Sequence, residues 1–170
     1  QVVGKFETDK DYLPFDHSLK NTKNTIQGNI YVSTIGTGTS NTEYEFLTGN
    51  SMAFLPIGSN AYTLYEKHTQ PGLAMTLSDQ NYSTTAFHPY HKENWNRINT
   101  YQYMNFERFI GMEDITNYQK LRNYISDEWD FQHVIDLYKQ RDPSKPFFMF
   151  NVTMQNHSPY DTGLIHDVHI

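Results

Sequence analysis

Apolar and polar residues alternate with two different periods along this chain, and the switches between them predict its elements. A helix is predicted over 126–140. Ser126 stands at an N-cap position, Asp127 and Glu128 fill the first turn, and Phe131, Val134, Ile135 and Tyr138 fall at i, i+3, i+4 and i+7 before Arg141-Asp142-Pro143 stops it. The run 146–153 is continuously apolar and β-prone, the pattern of a strand covered on both faces. Shorter strands are predicted over 83–87 and 29–33. Further helices are predicted over 12–19, with Pro14 in the first turn, and over 61–67 and 72–80. The segment 101–124 mixes aromatics with Gly111 and acids and predicts only short irregular helices. Strands alternating with helices, one strand being apolar throughout, predict an α/β fold with a largely parallel central sheet flanked by helices.

The polar positions between these elements carry the chemistry. The 29–33 strand runs into a loop containing Gly36 and Gly38, where the backbone can take positive φ or approach a ligand closely. Ser40 and Glu43 have capping-box spacing, which predicts a helix with Ser40 as N-cap and Glu43 at N3, and places Thr39 at its mouth. Unpaired N–H groups and the helix dipole favour an anion there, so the Thr39 hydroxyl is placed to meet a phosphate. The same residues also read as an ordinary capped helix after a Gly/Thr turn. After the 83–87 strand, residues 88–97 are polar and aromatic without a period. Arg97 offers a bidentate fork for a phosphate ester and Trp95 an apolar wall with an N–H donor, unless the segment is a surface loop with one buried aromatic. His157 follows the 146–153 strand and could protonate or orient a phosphate oxygen, or equally bond to the backbone of its turn. Ligands of parallel sheets bind outside the carboxyl ends of the strands, so clusters that each follow a predicted strand are expected to converge on one edge.

Composition narrows the choice of ligand. With 13 Lys+Arg against 19 Asp+Glu, a formal net charge of -6 and no basic run, the chain is not a nucleic-acid binder, and an anionic ligand has to be met locally. The absence of cysteine excludes disulfides, thiolate metal sites and a Cys nucleophile, and leaves the compartment open. No leader pattern or long apolar span is present, which predicts a soluble chain. The length of 170 residues suits one domain, residues 1–170, while the missing initiator Met and the abrupt ending predict a piece of a longer protein.

The order of motifs is more specific than any one of them. Gly38 to Glu43, Asn50-Ser51, Phe87-His88, Trp95-Asn96-Arg97 and Asn156-His157-Ser158-Pro159-Tyr160 together resemble the extracellular domain of the lipoteichoic acid synthase family over nearly the whole chain. These are phosphoglycerol transferases of the alkaline phosphatase and sulfatase superfamily. The resemblance implies a sulfatase-like α/β domain incomplete at both ends. It makes Thr39 the nucleophile that takes phosphoglycerol from phosphatidylglycerol as a covalent intermediate and ligates Mn²⁺ or Mg²⁺. It makes Trp95 and Arg97 the glycerol-phosphate binders, with His157 and His88 in the same pocket. A glycolipid or polyglycerolphosphate acceptor, and a bacterial cell-surface domain on a membrane-anchored parent, are implied with them. Tyr90 departs from relatives that carry an acid there, as do Asn41 and Thr42 from a more acidic stretch. The family's first metal-binding acid is expected upstream of Gln1 and its Asp-His pair beyond Ile170, since His166-Asp167 reads in the reverse order; the chain alone is expected to be inactive. No Cys/Ser-x-Pro-x-Arg motif occurs, which sets transfer above sulfate-ester hydrolysis. A phosphodiester hydrolase and a non-catalytic phosphate or polyanion-binding module are the alternatives.

Overall fold

The computed structural model describes residues 11, 13–20, 22–34 and 38–158; the readings that fall on Tyr12, Gly36 and the tail from Pro159 onward lie outside them. The chain divides into two units, Gln1–Val32 and Ser33–Ile170. In the first, helix α1 (Pro14–Ser18) starts with proline inside its first turn, where the missing N–H costs nothing. The strand expected over 29–33 does not form among the described residues. Ile30 is 92% and Tyr31 85% exposed, and β-branched or aromatic propensity does not hold an extended segment that has neither ladder nor cover.

The second unit is a layered α/β structure. Three helices come first, α2 (Thr39–Thr48), α3 (Ala61–Leu64) and α4 (Leu73–Asp79). Strand β1 (Ser83–Phe87) follows, then α5 (Arg97–Tyr103) and β2 (Arg108–Ile110). A small antiparallel pair, β3 (Lys120–Leu121) with β4 (Tyr124–Ile125), leads into α6 (Asp127–Gln140) and β5 (Phe147–Asn151). The sheet has the order β2-β1-β5 and is parallel throughout, as the alternation of elements predicts. Strand β2 lies in the segment read as irregular helix: three residues of mixed polarity become a strand by pairing with β1.

Successive residues of β1 serve opposite faces. Ala86 packs into a cluster with Tyr44 and Leu47 of α2, Tyr62 of α3 and Tyr101 of α5, while Phe87 packs with Ile110, Ile125 and the Trp129, Val134 and Leu137 side of α6. Helix α6 starts as predicted, the Ser126 hydroxyl accepting the Trp129 N–H at 3.3 Å. Its face is rotated from the predicted one. Phe131, Ile135 and Tyr138 are about half exposed, whereas Asp130 is fully buried and takes a 2.6 Å hydrogen bond from Asn151. That bond to the end of β5, which a hydrophobic pattern cannot register, sets the inward face. Among the described residues strand β5 pairs with β1 alone and its five residues are half-buried, so it is less enclosed there than its sequence suggests.

Candidate active site

The three strands end in register: Phe87 stands opposite both Ile110 and Asn151. Residues just beyond them therefore share the carboxyl edge. His88 is stitched to both neighbours, its N–H donating to the Ile110 carbonyl at 3.0 Å and its Nδ1 lying 2.8 Å from the Val152 carbonyl. A carbonyl partner requires Nδ1 to carry the proton, which leaves Nε2 with a free lone pair. His88 is 3% exposed, and burial, then the nearby Arg97 cation, pulls its pKa down to about 4. At neutral pH it is thus an uncharged acceptor, suited to a hydroxyl more than to a phosphate oxygen. Because the folded pKa lies below the unfolded value, this group's contribution is intact above about pH 6.5 and is lost as pH falls toward 4. Asp130, raised to about 6 by burial, runs the other way, weakening the fold as pH rises through that range. His88→Gln is therefore expected to flatten the acid side of the stability profile relative to wild type, by as much as about 2–3 kcal/mol between pH 7 and pH 4.5. Thermal unfolding of the two proteins across that range measures it.

Thr39 is the first residue of α2. Gly38, at φ 48°, is the N-cap residue and offers no side-chain cap, so the predicted capping box is not what starts this helix. Ser40 is instead fully buried, accepting a 2.6 Å bond from Asn60. Asn41 donates to the Ser59 carbonyl at 2.9 Å and accepts the Ala61 N–H at 3.0 Å. The first turn of α2 is thereby clamped to the start of α3, with Thr39 exposed at its tip.

Glu43 does not reach back to a cap. It is 3% exposed and accepts hydrogen bonds from Arg97 Nη2 at 2.5 Å, Arg97 Nε at 3.2 Å and the Tyr101 hydroxyl at 2.7 Å. Arg97, itself 2% exposed, spends one edge of its guanidinium on this carboxylate; among the described residues Nη1 makes only a long 3.4 Å bond to the Asn94 carbonyl. The fully buried Tyr62 hydroxyl has no hydrogen-bond partner among the described residues. Burial first, and then the charge of Glu43, hold the Tyr62 and Tyr101 phenols well above their ordinary range.

Trp95 and Asn96, at φ 58° and 60°, are two consecutive left-handed residues without glycine. For a tryptophan this is a strained conformation, of the kind retained where the surroundings over-determine it. Asn96 is held by donating to the Tyr62 carbonyl at 3.1 Å. The result brings the edge of the Trp95 ring beside Gly38, with Cη2 3.5 Å from where a Cβ would sit. His157 is exposed, and its Nδ1 meets the Ser158 carbonyl at 2.6 Å and the Tyr124 hydroxyl at 3.3 Å. The ring of Tyr124 in turn packs on Tyr90, and Tyr90 on His88.

The structure thus brings Trp95 to the start of α2 and Arg97 to the residue one turn beyond Thr39. It places His88 within electrostatic reach of Arg97, Glu43 and His157. His157 and Thr39 share no direct contact among the described side chains. Glu43, Tyr124 and the Trp95-Asn96 strain were not read from sequence as parts of this site. Glu43 gave a signal, but the capping spacing absorbed it. Thr39 is also the residue expected to hold a divalent ion. Among the described residues no group of three or more His, Asp or Glu side chains converges, and Mn²⁺ or Mg²⁺ requires several oxygen ligands, so the described part of the chain does not form a complete metal site.

Comparison with known proteins gives the family and the fold. The Sulfatase family model matches residues 12–166. A putative cyclic β-1,2-glucan modification protein of Rhizobium meliloti is 38% identical over 137 residues, covering 80% of this chain and 21% of that protein. The lipoteichoic acid synthase of Staphylococcus saprophyticus is 31% identical over 123 residues, covering 68% and 18%. The chain therefore spans about a fifth of the length of these relatives. The Streptococcus pyogenes phosphoglycerol transferase GacH, solved in complex with sn-glycerol-1-phosphate, superposes with a TM-score of 0.75 at 24% identity, over 92% of this chain and 41% of that one. A family model matched over most of the length, on a parallel α/β fold shared with GacH, means that this chain belongs to the sulfatase family, and it is similar in sequence to a lipoteichoic acid synthase.

Proposed function

We propose that this chain is part of a phosphoglycerol transferase that moves glycerol phosphate from phosphatidylglycerol to a cell-envelope acceptor through a phosphothreonine at Thr39. The observation that carries the reading is the position of Thr39: exposed at the first residue of a clamped helix, with the Trp95 ring beside the preceding glycine and a buried Arg97 one turn below. In the first step the Thr39 Oγ attacks phosphorus, the bond from phosphorus to the diacylglycerol oxygen breaks, and diacylglycerol leaves with a proton. In the second, an acceptor hydroxyl attacks the same phosphorus, and the threonine oxygen departs and regains its proton. The N-terminal N–H groups of α2 point at the phosphate in both steps. Trp95 walls the glycerol, Arg97 and His157 face phosphate oxygens, and His88 accepts a hydrogen bond from a glycerol hydroxyl through Nε2.

The superfamily is generally metal-dependent, and a divalent ion at Thr39 would lower the cost of ionising a bare hydroxyl. The rest of its ligands would come from other parts of the parent protein. The parent would act at the bacterial cell surface, where the lipid donor is presented; no helix among the described residues is long and apolar enough to cross a membrane. A glycolipid or polyglycerolphosphate acceptor follows from the synthase-like relatives, while the name of the 38% identical relative supports a glycan hydroxyl in the same role. Incubating the full-length protein with phosphatidylglycerol and no acceptor is expected to add one glycerol phosphate to the peptide that contains Thr39. Mass spectrometry of the digested protein reads this out, and a modified peptide elsewhere, or none, would contradict the assignment.

A further inference from the structure

Glu43 has no place in the chemistry proposed above, yet it holds both of the elements that chemistry uses. It lies four residues after Thr39, hence on the same face of α2 and about 6 Å further along the axis. Through two hydrogen bonds it also fixes the guanidinium of Arg97, the residue that closes the Trp95 turn. Both partners are almost wholly buried, at 2% and 3% exposure, and the Tyr101 hydroxyl occupies a further lone pair of the carboxylate.

An arginine that met a phosphate unaided would sweep many rotamers and lose that freedom on binding. Here one edge of the fork is committed to Glu43, and among the described residues Nη1 keeps only the long contact to the Asn94 carbonyl beside Trp95. The uncommitted edge is held at the turn that carries the tryptophan. Since the carboxylate is rooted in the helix that begins at Thr39, the separation between nucleophile and guanidinium is set by one turn of rigid helix and not by a loop. The pair is also neutral overall, so the site binds a phosphate by directed N–H groups more than by an unbalanced positive charge.

We propose that Glu43 is the positioning residue that sets Arg97 at a fixed distance from Thr39, so that one phosphate meets both. This rests on the transferase reading and adds to it a residue outside the family motifs quoted for the chain.

The test uses the full-length protein, with sn-glycerol-1-phosphate as the probe in titration calorimetry and phosphatidylglycerol as the donor in transfer assays. Glu43→Gln is expected to weaken sn-glycerol-1-phosphate binding and raise the donor KM by about tenfold or more, as the loss of one well-directed charge-assisted bond would. Tyr101→Phe removes a single hydrogen bond to the same carboxylate and leaves the ion pair, so it should fold and give a smaller change, about threefold, in the same direction. Leu47→Val, a core change one turn further along the same helix, lowers stability without touching the carboxylate and is expected to leave both constants unchanged. If Glu43→Gln does not fold, Tyr101→Phe against Leu47→Val decides. Unchanged affinity in the Glu43 and Tyr101 variants, or an equal loss in Leu47→Val, overturns the positioning role while wild-type transfer stands. A wild-type protein that neither binds the probe nor transfers phosphoglycerol overturns the transferase reading, and this role with it.

Discussion

Replacing Arg97 by alanine is expected to cost about 3–5 kcal/mol of stability, because it leaves the Glu43 carboxylate buried with its counter-charge gone. Of the donors that solvate that carboxylate, only the Tyr101 hydroxyl would remain among those described. Against a typical domain stability of about 5–15 kcal/mol this is enough to leave a substantial fraction unfolded near physiological temperature. Urea unfolding at neutral pH measures it. Arg97→Lys keeps the charge but replaces a planar fork with a single ammonium, so an intermediate cost is expected. Removing both charges together, in Glu43→Gln with Arg97→Gln, should be milder than the two single losses added, since no unpaired ion is left behind; a double-mutant cycle gives the coupling directly. If Arg97→Ala proves as stable as wild type, water must reach the carboxylate, and the pair is not the closed one described here.

The sequence reading succeeded where local pattern and tertiary packing agree. Strand β1 runs from Ser83 to Phe87 as predicted because its β-prone residues are also the ones paired on both sides. The cap at Ser126 was legible because an N-cap acts within three residues. The reading fell short where a long-range partner decides the outcome. Ser40 and Glu43 have the spacing of a capping box, yet Asn60 takes the first and Arg97, 54 positions away, takes the second. No local rule contains that competition. Strand β2 exists because β1 supplies its ladder, and the segment 29–33, which has none among the described residues, does not become a strand. The inward face of α6 turns on Asp130, which a hydrophobic period counts as outward. In the candidate site, Thr39 at a helix mouth and His88 at a strand end could be read from spacing. The left-handed Trp95-Asn96 turn could not, since nothing in Trp-Asn-Arg announces two positive φ angles.

Thr39→Ala in the full-length protein is expected to abolish phosphoglycerol transfer while leaving stability within about 0.5 kcal/mol of wild type. The two halves of this expectation have separate grounds. Thr39 is exposed, its helix has Gly38 as N-cap, and no side-chain cap bond is present to be lost. Alanine also has the higher helix propensity, so the fold has no reason to weaken. Ser40, Asn41 and Glu43, which clamp the first turns of α2, are untouched. The chemistry has no comparable reserve. Removing a covalent nucleophile removes the intermediate itself, and losses on the order of 10⁴–10⁶-fold in turnover are the scale seen when such a group is deleted. Binding should survive the change, because Trp95, Arg97, His88 and His157 remain in place, so affinity for sn-glycerol-1-phosphate is expected to stay within about threefold of wild type. Thr39→Ser restores a hydroxyl one carbon from the backbone and is expected to recover part of the rate. Transfer assays with phosphatidylglycerol, run beside thermal unfolding and calorimetry on the same preparations, separate these outcomes. Near-normal transfer by a folded Thr39→Ala protein would return Thr39 to the role of an ordinary residue at a helix start and move the search for a nucleophile elsewhere in the parent chain.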